Sequence, residues 1–105
     1  MEKKNKLHYS LDARRDMDEI WEYIAVELEN RSAAERAVTG IMDAVDQLEI
    51  FAGLGTPLSA IAAVDSEYRY LTSGNYMIFY RVLGSEVFVD RVLYGRRDYL
   101  RILQK

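Results

Sequence analysis

The side chains that could do chemistry are mostly arginines and tyrosines, and they are concentrated from residue 66 onward. The chain has no cysteine, which excludes disulfides, thiolate metal sites and thiol nucleophiles. Its single histidine, His8, cannot form a His-based zinc site, and no spacing around it is typical of a Ser-His-Asp triad. We therefore interpret His8 as a structural or surface residue, and we expect neither a metal nor a cofactor.

Charge is unevenly distributed along the chain. The net charge is −3, with a balance of −6 in residues 1–65 and +3 in residues 66–105. The cations of the second block are Arg69, Arg81, Arg91, Arg96, Arg97, Arg101 and Lys105. Such a block suits an acidic partner or phosphates, or it forms a solvated rim. The acidic overall balance argues against non-specific nucleic-acid binding, which usually needs a strongly basic face.

Length and hydropathy predict one domain over residues 1–105. Half of the residues are hydrophobic, which is enough for an ordinary core. No run of about 18 apolar residues is present, so we expect no membrane span. The charged residues 2–6 are not followed by the apolar core of a signal peptide, and we expect a cytoplasmic protein.

The N-terminal half predicts a strand and a helical hairpin. Alternation over Leu7–Leu11 indicates a short strand, after which Asp12 can cap a first helix. Ser32 and Glu35 have the spacing of a capping box for a second helix, which runs to about Phe51. The apolar stripe of the first helix recurs at spacings of three and four: Ala13, Met17, Ile20, Ile24 and Leu28.

The C-terminal half predicts three strands. The segments Glu67–Thr72, Tyr76–Leu83 and Glu86–Tyr94 are rich in aromatic and β-branched residues. Gly84-Ser85 suits a type II′ hairpin turn. Asp98 can cap a short final helix. The predicted order is β-α-α-β-β-β-α, an α+β fold in which a helical hairpin packs on a mostly antiparallel, twisted sheet.

Both faces of the two long predicted strands are apolar. In Tyr76–Leu83, Met77, Phe79 and Leu83 alternate with Tyr76, Ile78, Tyr80 and Val82; in Glu86–Tyr94, Val87, Val89 and Leu93 alternate with Phe88, Val92 and Tyr94. One helical hairpin covers only one face of a sheet, and a solvated second face should be polar. We therefore favour a partner on the second face. The alternative is coverage by the 52–66 loop, which we expect to contain a short helix, and by the final helix.

Four segments together resemble the RelE/ParE superfamily of toxins from bacterial type II toxin–antitoxin systems, and their order covers nearly the whole chain. They are Asp18–Ile24, Tyr68–Leu71, Gly74–Val82 and Arg91–Asp98. The resemblance implies a toxin of the plasmid stabilisation type, neutralised by a cognate antitoxin whose acidic, partly disordered tail wraps the hairpin and the sheet. It also allows a homodimer or a toxin–antitoxin heterotetramer.

The superfamily has two activities, which the fold does not separate. RelE-like members cut mRNA in the translating ribosome, whereas ParE-like members inhibit DNA gyrase. The nuclease group uses cations on its middle strands, and the matching positions here are Tyr68, Tyr70 and Met77, none of them cationic. Arg97 matches the C-terminal arginine, and the aromatic position falls on Leu103 or Tyr99. The resemblance is therefore closer to the ParE branch. A ribosome-dependent mRNA endoribonuclease and a non-toxic, degenerate member are the alternatives.

Three sets of site residues follow from the resemblance. The target-binding candidates are Arg69, Arg81, Tyr94, Arg96, Arg97 and Arg101. The candidates for a nuclease are Arg81, Arg97, Tyr94 and Tyr99, although members commonly have histidine at the position of Tyr94. The antitoxin-binding candidates are Trp21, Ile24, Tyr76, Phe79, Tyr80 and Phe88. A structural ion pair with Asp90 or Asp98 is the other interpretation of Arg69 and Arg81, and we favour an internal pair for Arg91.

Overall fold

A five-stranded sheet carries two helices on one face and a short helix on the other in the computed structural model, which describes residues 3–61, 66–95 and 99–103. The elements are β1 (Lys6–Tyr9), α1 (Leu11–Glu22), α2 (Arg31–Asp46), β2 (Thr56–Pro57), β3 (Arg69–Ser73), β4 (Tyr76–Leu83), β5 (Glu86–Tyr94) and α3 (Tyr99–Leu103). A π-helical turn, Tyr23–Glu27, extends α1, and 3-10 turns occupy Gln47–Glu49, Ala52–Leu54 and Leu58–Ala60. The predicted α+β fold class is confirmed.

Both long helices begin earlier than predicted. Ser10, not Asp12, caps α1, because its Oγ accepts from the backbone N–H of Ala13 at 2.9 Å. Asn30 caps α2 by accepting from the N–H of Ala33 at 3.0 Å, so the predicted capping box at Ser32 is wrong. Within the described residues, no helix is long and apolar enough to cross a bilayer. The predicted cap at Asp98 lies outside the described residues.

The strand order of the sheet is β1-β5-β4-β3-β2. All neighbouring pairs are antiparallel except β1 and β5, which run parallel. Gly84 has a φ of +60° at the first position of the β4–β5 turn, as a type II′ turn requires. The two-residue strand β2 was not predicted, and it lengthens the sheet at the edge beyond β3.

A β-bulge divides β5 at Asp90. Phe79 pairs with Arg91 while Tyr80 pairs with Val89, which leaves Asp90 as the extra residue. Val92 consequently joins Val87 and Val89 in the core under the helices, whereas Leu93 lies in the cluster on the opposite face. The predicted uninterrupted alternation along β5 is therefore wrong, although the two predicted faces of β4 are confirmed for Ile78, Tyr80, Met77 and Phe79.

Tyr80 joins the helix-side core to the connection that follows α2. The helix ends at Asp46 and a 3-10 turn follows, instead of one helix to Phe51. The buried Tyr80 hydroxyl donates to the carbonyl of Ala52 and accepts from the N–H of Gly55, both at 2.8 Å. A Cβ at Gly55 would lie 2.6 Å from the Tyr80 hydroxyl. Only glycine therefore fits where the connection crosses this ring.

The chain itself covers the centre of the second sheet face. Leu58, Phe79 and Leu93 form a buried cluster there. The residues packed around it come from β3, β4 and α3 and from the approach to β3: Tyr68, Tyr70, Met77, Tyr99, Leu100, Ile102 and Leu103. At the centre of this face, the structure therefore supports coverage by Leu58 of the 52–66 loop and by the final helix instead of by a partner. A partner has to be sought elsewhere on the molecule.

Candidate binding site

A cleft of about 720 Å³ lies between the hairpin and one end of the sheet. Its walls come from the second half of α1 and the turn after it, the start of α2, and the paired ends of β4 and β5. Most of the lining is apolar, and the side chains that shape the opening are Ile20, Tyr23, Ile24, Leu28, Tyr76 and Tyr94. Its size and lining are typical of a site for a ligand or for an inserted segment of a partner.

The irregular junction of the two helices shapes this cleft. The N–H of Leu28 donates to the carbonyl of Tyr23 at 3.0 Å, which closes a turn one residue wider than an α-helical turn. Glu29 then takes a φ of +51°, which non-glycine residues rarely adopt and which costs about 1 kcal/mol. The junction leaves Leu28 more than half exposed, although it continues the apolar stripe of α1. An apolar stripe thus ends in an open site instead of in the core.

Three tyrosines line the cleft, Tyr76 and Tyr94 from the sheet and Tyr23 from the turn after α1. The rings of Tyr76 and Tyr94 meet edge to face, with centroids 6.0 Å apart. Burial raises the pKa of Tyr76, and the nearby hydroxyls of Tyr94 and Tyr23 raise it further. Tyr23 is 53% exposed and Tyr94 is 40% exposed. The three rings therefore remain accessible to a ligand while they lie close together.

An ion pair fixes the deep end of the cleft. Asp16, a buried residue of α1, accepts from Nε and Nη2 of Arg91 at 2.7 and 2.8 Å and from the N–H of Val92 at 2.9 Å. The hydrogen bonds that Arg91 donates to Asp16 raise the pKa of Arg91, and the charges of Asp16, Asp12 and Glu19 raise it further. The predicted internal pair of Arg91 is confirmed. One guanidinium faces three carboxylates, so this side of the cleft keeps a negative surplus.

The antitoxin-binding candidates do not share one surface. Ile24 and Tyr76 line the cleft. Trp21 lies beside it in a shallower depression on α1 and α2, with the guanidinium of Arg31 5.9 Å from the ring centroid. Phe79 and Tyr80 are fully buried, so neither offers surface to a partner in this structure.

Phe88, the remaining antitoxin-binding candidate, lies at the uncovered end of the second sheet face. Its ring stacks on His8 at 4.9 Å, and the guanidinium of Arg81 lies 6.0 Å from its centroid. Arg81 donates to Asp90 Oδ2 at 2.6 Å, and the Tyr68 hydroxyl donates to the same oxygen at 2.9 Å. His8 also contacts Glu86 at 3.0 Å, which fits the structural interpretation of the histidine.

The nuclease candidates are not brought together. In the β4–β5 pair, Arg81 lies opposite Phe88 and Tyr94 lies opposite Tyr76, which is five residues before Arg81 on β4. At ~3.3 Å per residue this spacing places them roughly 16 Å apart. The ring of Tyr99 packs on Phe79, with centroids 5.2 Å apart, and Arg97 lies outside the described residues. No general base, cation and acid converge on one point among the described candidates.

The other target-binding candidates have different surroundings. The Arg69 guanidinium donates to the carbonyls of Gly55 and Gly53 at 2.8 and 3.4 Å, so it supports the connection before β2. Arg101 lies exposed on α3, and Arg96 lies outside the described residues. No group of three or more His, Asp or Glu side chains in the described ranges could hold a metal ion.

Several residues of the cleft were not among the predicted site residues. Tyr23 and Glu19 lie off the apolar stripe of α1, and neither was singled out from the sequence. The signal that could have found Tyr23 is a large aromatic residue next to the acidic break between two helices. Leu28 was assigned to the core because its spacing continues the stripe.

Comparisons with known proteins agree with this architecture. Residues 7–99 match the family model for the ParE toxin of the type II toxin–antitoxin system parDE. A structure of the chromosomal ParDE toxin–antitoxin system from P. aeruginosa is 26% identical with a TM-score of 0.70, over 85% of this chain and 94% of that chain. No curated protein matches the sequence.

A second solved structure shares the fold. It is the toxin–antitoxin complex RelBE2 from Mycobacterium tuberculosis, 17% identical with a TM-score of 0.56, over 90% of this chain and 94% of that chain. At that identity the likeness supports the fold alone. The family match, by contrast, spans all five strands and both long helices. The chain therefore belongs to the ParE toxin family of type II toxin–antitoxin systems.

Proposed function

We propose that this chain arrests bacterial growth by inhibiting DNA gyrase and that a cognate antitoxin neutralises it. The observation that carries the proposal is the match to the ParE toxin family over residues 7–99. The related P. aeruginosa structure is described as a ParDE system, which supports an antitoxin as the partner. Binding, not catalysis, is the activity we expect.

The geometry of the candidate residues supports a non-catalytic toxin over a ribonuclease. RNA cleavage through the 2′-hydroxyl needs a base, a cation and an acid around one phosphate. Arg81 is engaged by Asp90, and Tyr94 lies at the opposite end of the same strand pair. Tyr68 and Tyr70 occupy positions where RelE-like nucleases are cationic, and both pack on the cluster of the second sheet face.

We further propose that the antitoxin inserts an apolar segment into the cleft between the hairpin and the sheet. This surface replaces the second sheet face as the expected docking site, because the centre of that face is covered by Leu58 and α3. The exposed side chains of Tyr23, Leu28 and Tyr94 form an apolar rim around a concave site. Concave apolar surfaces of this size are typical of sites that receive an amphipathic helix.

The test is induction of the chain in a bacterium that carries a reporter plasmid, with supercoiling and transcript integrity measured in parallel. We expect growth arrest, loss of negative supercoiling and intact transcripts. Purified gyrase should lose its supercoiling activity on addition of the chain and regain it with the product of the adjacent gene. Cut transcripts with normal supercoiling would support the ribonuclease, and normal growth at verified expression would contradict toxicity.

A further inference from the structure

Two carboxylates, those of Asp16 and Glu19, line the cleft between the hairpin and the sheet, and no basic side chain among the described residues does. Residues 16–29, which form the helical side of the site, contain six acidic residues and no basic one. The one guanidinium at the deep end, that of Arg91, is already held by two hydrogen bonds to Asp16. Glu19 lines the cleft and forms no ion pair with any other described residue.

Aromatic rings line the same cleft as this carboxylate. Tyr23, Tyr76 and Tyr94 all line the cleft, and the rings of Tyr76 and Tyr94 are 6.0 Å apart. Tyrosine rings attract a cation within about 6 Å of the ring centroid, and the attraction increases where water is excluded. A cleft lined by a carboxylate and several aromatic rings is a favourable environment for an organic cation, and an unfavourable one for a carboxylate of a partner.

From this arrangement we infer that the cleft binds an arginine or lysine side chain, carried on an apolar segment of the antitoxin, between the three tyrosine rings and Glu19. The inference rests on the proposed function and adds the chemistry of the partner. The apolar walls formed by Ile20, Ile24 and Leu28 receive the aliphatic stem and its hydrophobic neighbours. The charged head then lies at the rim beside Glu19.

At the cleft, the charge expected of the antitoxin is therefore positive instead of negative. An acidic tail suits the arginines from residue 69 onward, but not a cleft whose own uncompensated charge is negative. The antitoxin therefore carries charges of both signs: an apolar segment with a basic residue binds the cleft, and acidic residues bind elsewhere. Opposite charges at two places fix the direction in which the segment lies on the toxin.

Peptide binding tests the inference directly. The chain is produced by cell-free synthesis and titrated into fluorescein-labelled, overlapping 15-residue peptides of the adjacent gene's product, with anisotropy as the readout. We expect the tightest peptide to be apolar with a basic residue. Replacement of that arginine by citrulline, or of that lysine by norleucine, should weaken binding about tenfold, because the shape is kept while the charge is lost.

Substitutions in the cleft test the contributions of Glu19 and of the Tyr94 ring separately. Glu19→Gln and Tyr94→Leu should each weaken the native peptide about five- to tenfold and leave the neutral peptide nearly unchanged, because their effect depends on the cation. Tyr94→Phe keeps the ring and should retain binding. The matched control is Asp43→Asn, an exposed acidic position of α2 ten residues beyond Ala33. Thermal unfolding by circular dichroism verifies that each variant is folded.

Two results would overturn the inference. If the neutral peptide binds as tightly as the basic one, or if an acidic peptide needs the intact cleft, the cation site is wrong. If the full-length antitoxin binds with an affinity that neither Glu19→Gln nor Tyr94→Leu changes, the cation site is wrong while the toxin–antitoxin pair stands. If the full-length antitoxin does not bind at all, both proposals fail.

Discussion

The two arginine–aspartate pairs of the sheet have the same chemistry in different surroundings. Arg91 and Asp16 join β5 to α1, with Asp16 6% exposed and also bound to the backbone N–H of Val92. Arg81 and Asp90 lie at the uncovered end of the second sheet face, where the Arg81 side chain is 44% exposed. Both pairs have a contact of 2.6 or 2.7 Å, so distance alone does not distinguish them.

The difference shows that burial of the ion pair, and not the presence of the pair, decides which arginine is needed for the stability of the fold. Removal of Asp16 leaves a partly buried guanidinium and a buried N–H without an acceptor, which is a large penalty. Removal of Asp90 leaves an arginine that water can solvate. The Arg81 pair is thus able to exchange its partner for a ligand without unfolding, whereas the Arg91 pair is not.

The largest expected effect is that of Asp16→Ala. We expect the free energy of unfolding to fall by about 3–4 kcal/mol, because Arg91 and the N–H of Val92 lose their acceptor together. Urea unfolding monitored by circular dichroism measures it. Asp18→Ala, two residues later on α1 and exposed, is the control and should change stability by less than about 0.5 kcal/mol. A loss below about 1 kcal/mol for Asp16→Ala would remove the distinction between the two pairs.

A smaller effect is expected when lysine replaces arginine, because the positive charge is kept but the bidentate guanidinium is lost. Arg91→Lys should reduce stability by about 1–2 kcal/mol, since lysine cannot make the two parallel hydrogen bonds to Asp16. Arg81→Lys should stay within about 0.5 kcal/mol of the parent, because that pair uses one strong contact at the surface. The same urea titration compares them, and equal losses would contradict the comparison.

The exposed pair should show little coupling. A double-mutant cycle with Arg81→Ala and Asp90→Ala is expected to give a coupling of about 0.5–1 kcal/mol, which falls as salt is added. The Tyr68 hydroxyl also donates to Asp90, so Tyr68→Phe is the control that separates the two donors. A coupling above about 2 kcal/mol that resists salt would mean that this pair is as structural as the buried one.

The smallest effect is on the titration of Tyr68. Burial raises the pKa of Tyr68 above 10.0, the hydrogen bond to Asp90 and its charge raise it further, and Arg81 lowers it. The folded-state pKa exceeds the unfolded value, so this contribution to stability is complete below pH 10 and is lost as the pH rises through the folded-state pKa. Asp90→Asn should move the pKa toward 10.0, and Arg81→Ala should raise it.

Tyrosine 13Cζ chemical shifts measure this titration. Tyr9, whose pKa burial and Asp46 raise to about 12, provides the reference that neither substitution should move. If neither substitution changes the pKa of Tyr68, Asp90 does not bind both Tyr68 and Arg81 in solution.

The element order was predictable because periodicity is a local property. The stripe of α1 from Ala13 to Ile20 and the alternation of β4 follow from spacing alone, and the structure confirms them. The caps were not predictable to the residue, since Ser10 and Asp12 are both competent caps and the end of β1 decides between them. The coverage of the second sheet face depends on where α3 docks, which is a long-range contact without a local signal.

The candidate site was predictable only in part. Ile24 and Tyr76, which the resemblance offered as antitoxin-binding candidates, both line the cleft. Tyr23 was missed because the π-helical turn changes the phase of the helix where the site forms, and Glu19 because a charged residue beside an apolar stripe is ordinarily a solvated position. The burial of Phe79 and Tyr80 follows from tertiary packing, which the amphipathic pattern of a strand does not contain.

The extra residue in β5 has a consequence for anyone who redesigns or aligns this strand. Deletion of Asp90 would restore the ordinary alternation and leave Val92, Leu93 and Tyr94 on their present sides of the sheet, because Arg91 would follow Val89 directly and keep its pairing with Phe79. Loss of the bulge without a deletion would instead shift the pairing by one residue, so that Leu93 would point under the helices and Tyr94 away from Tyr76. An alignment to a strand without the bulge that omits the gap at Asp90 therefore exchanges inward for outward residues over the last three positions of the strand.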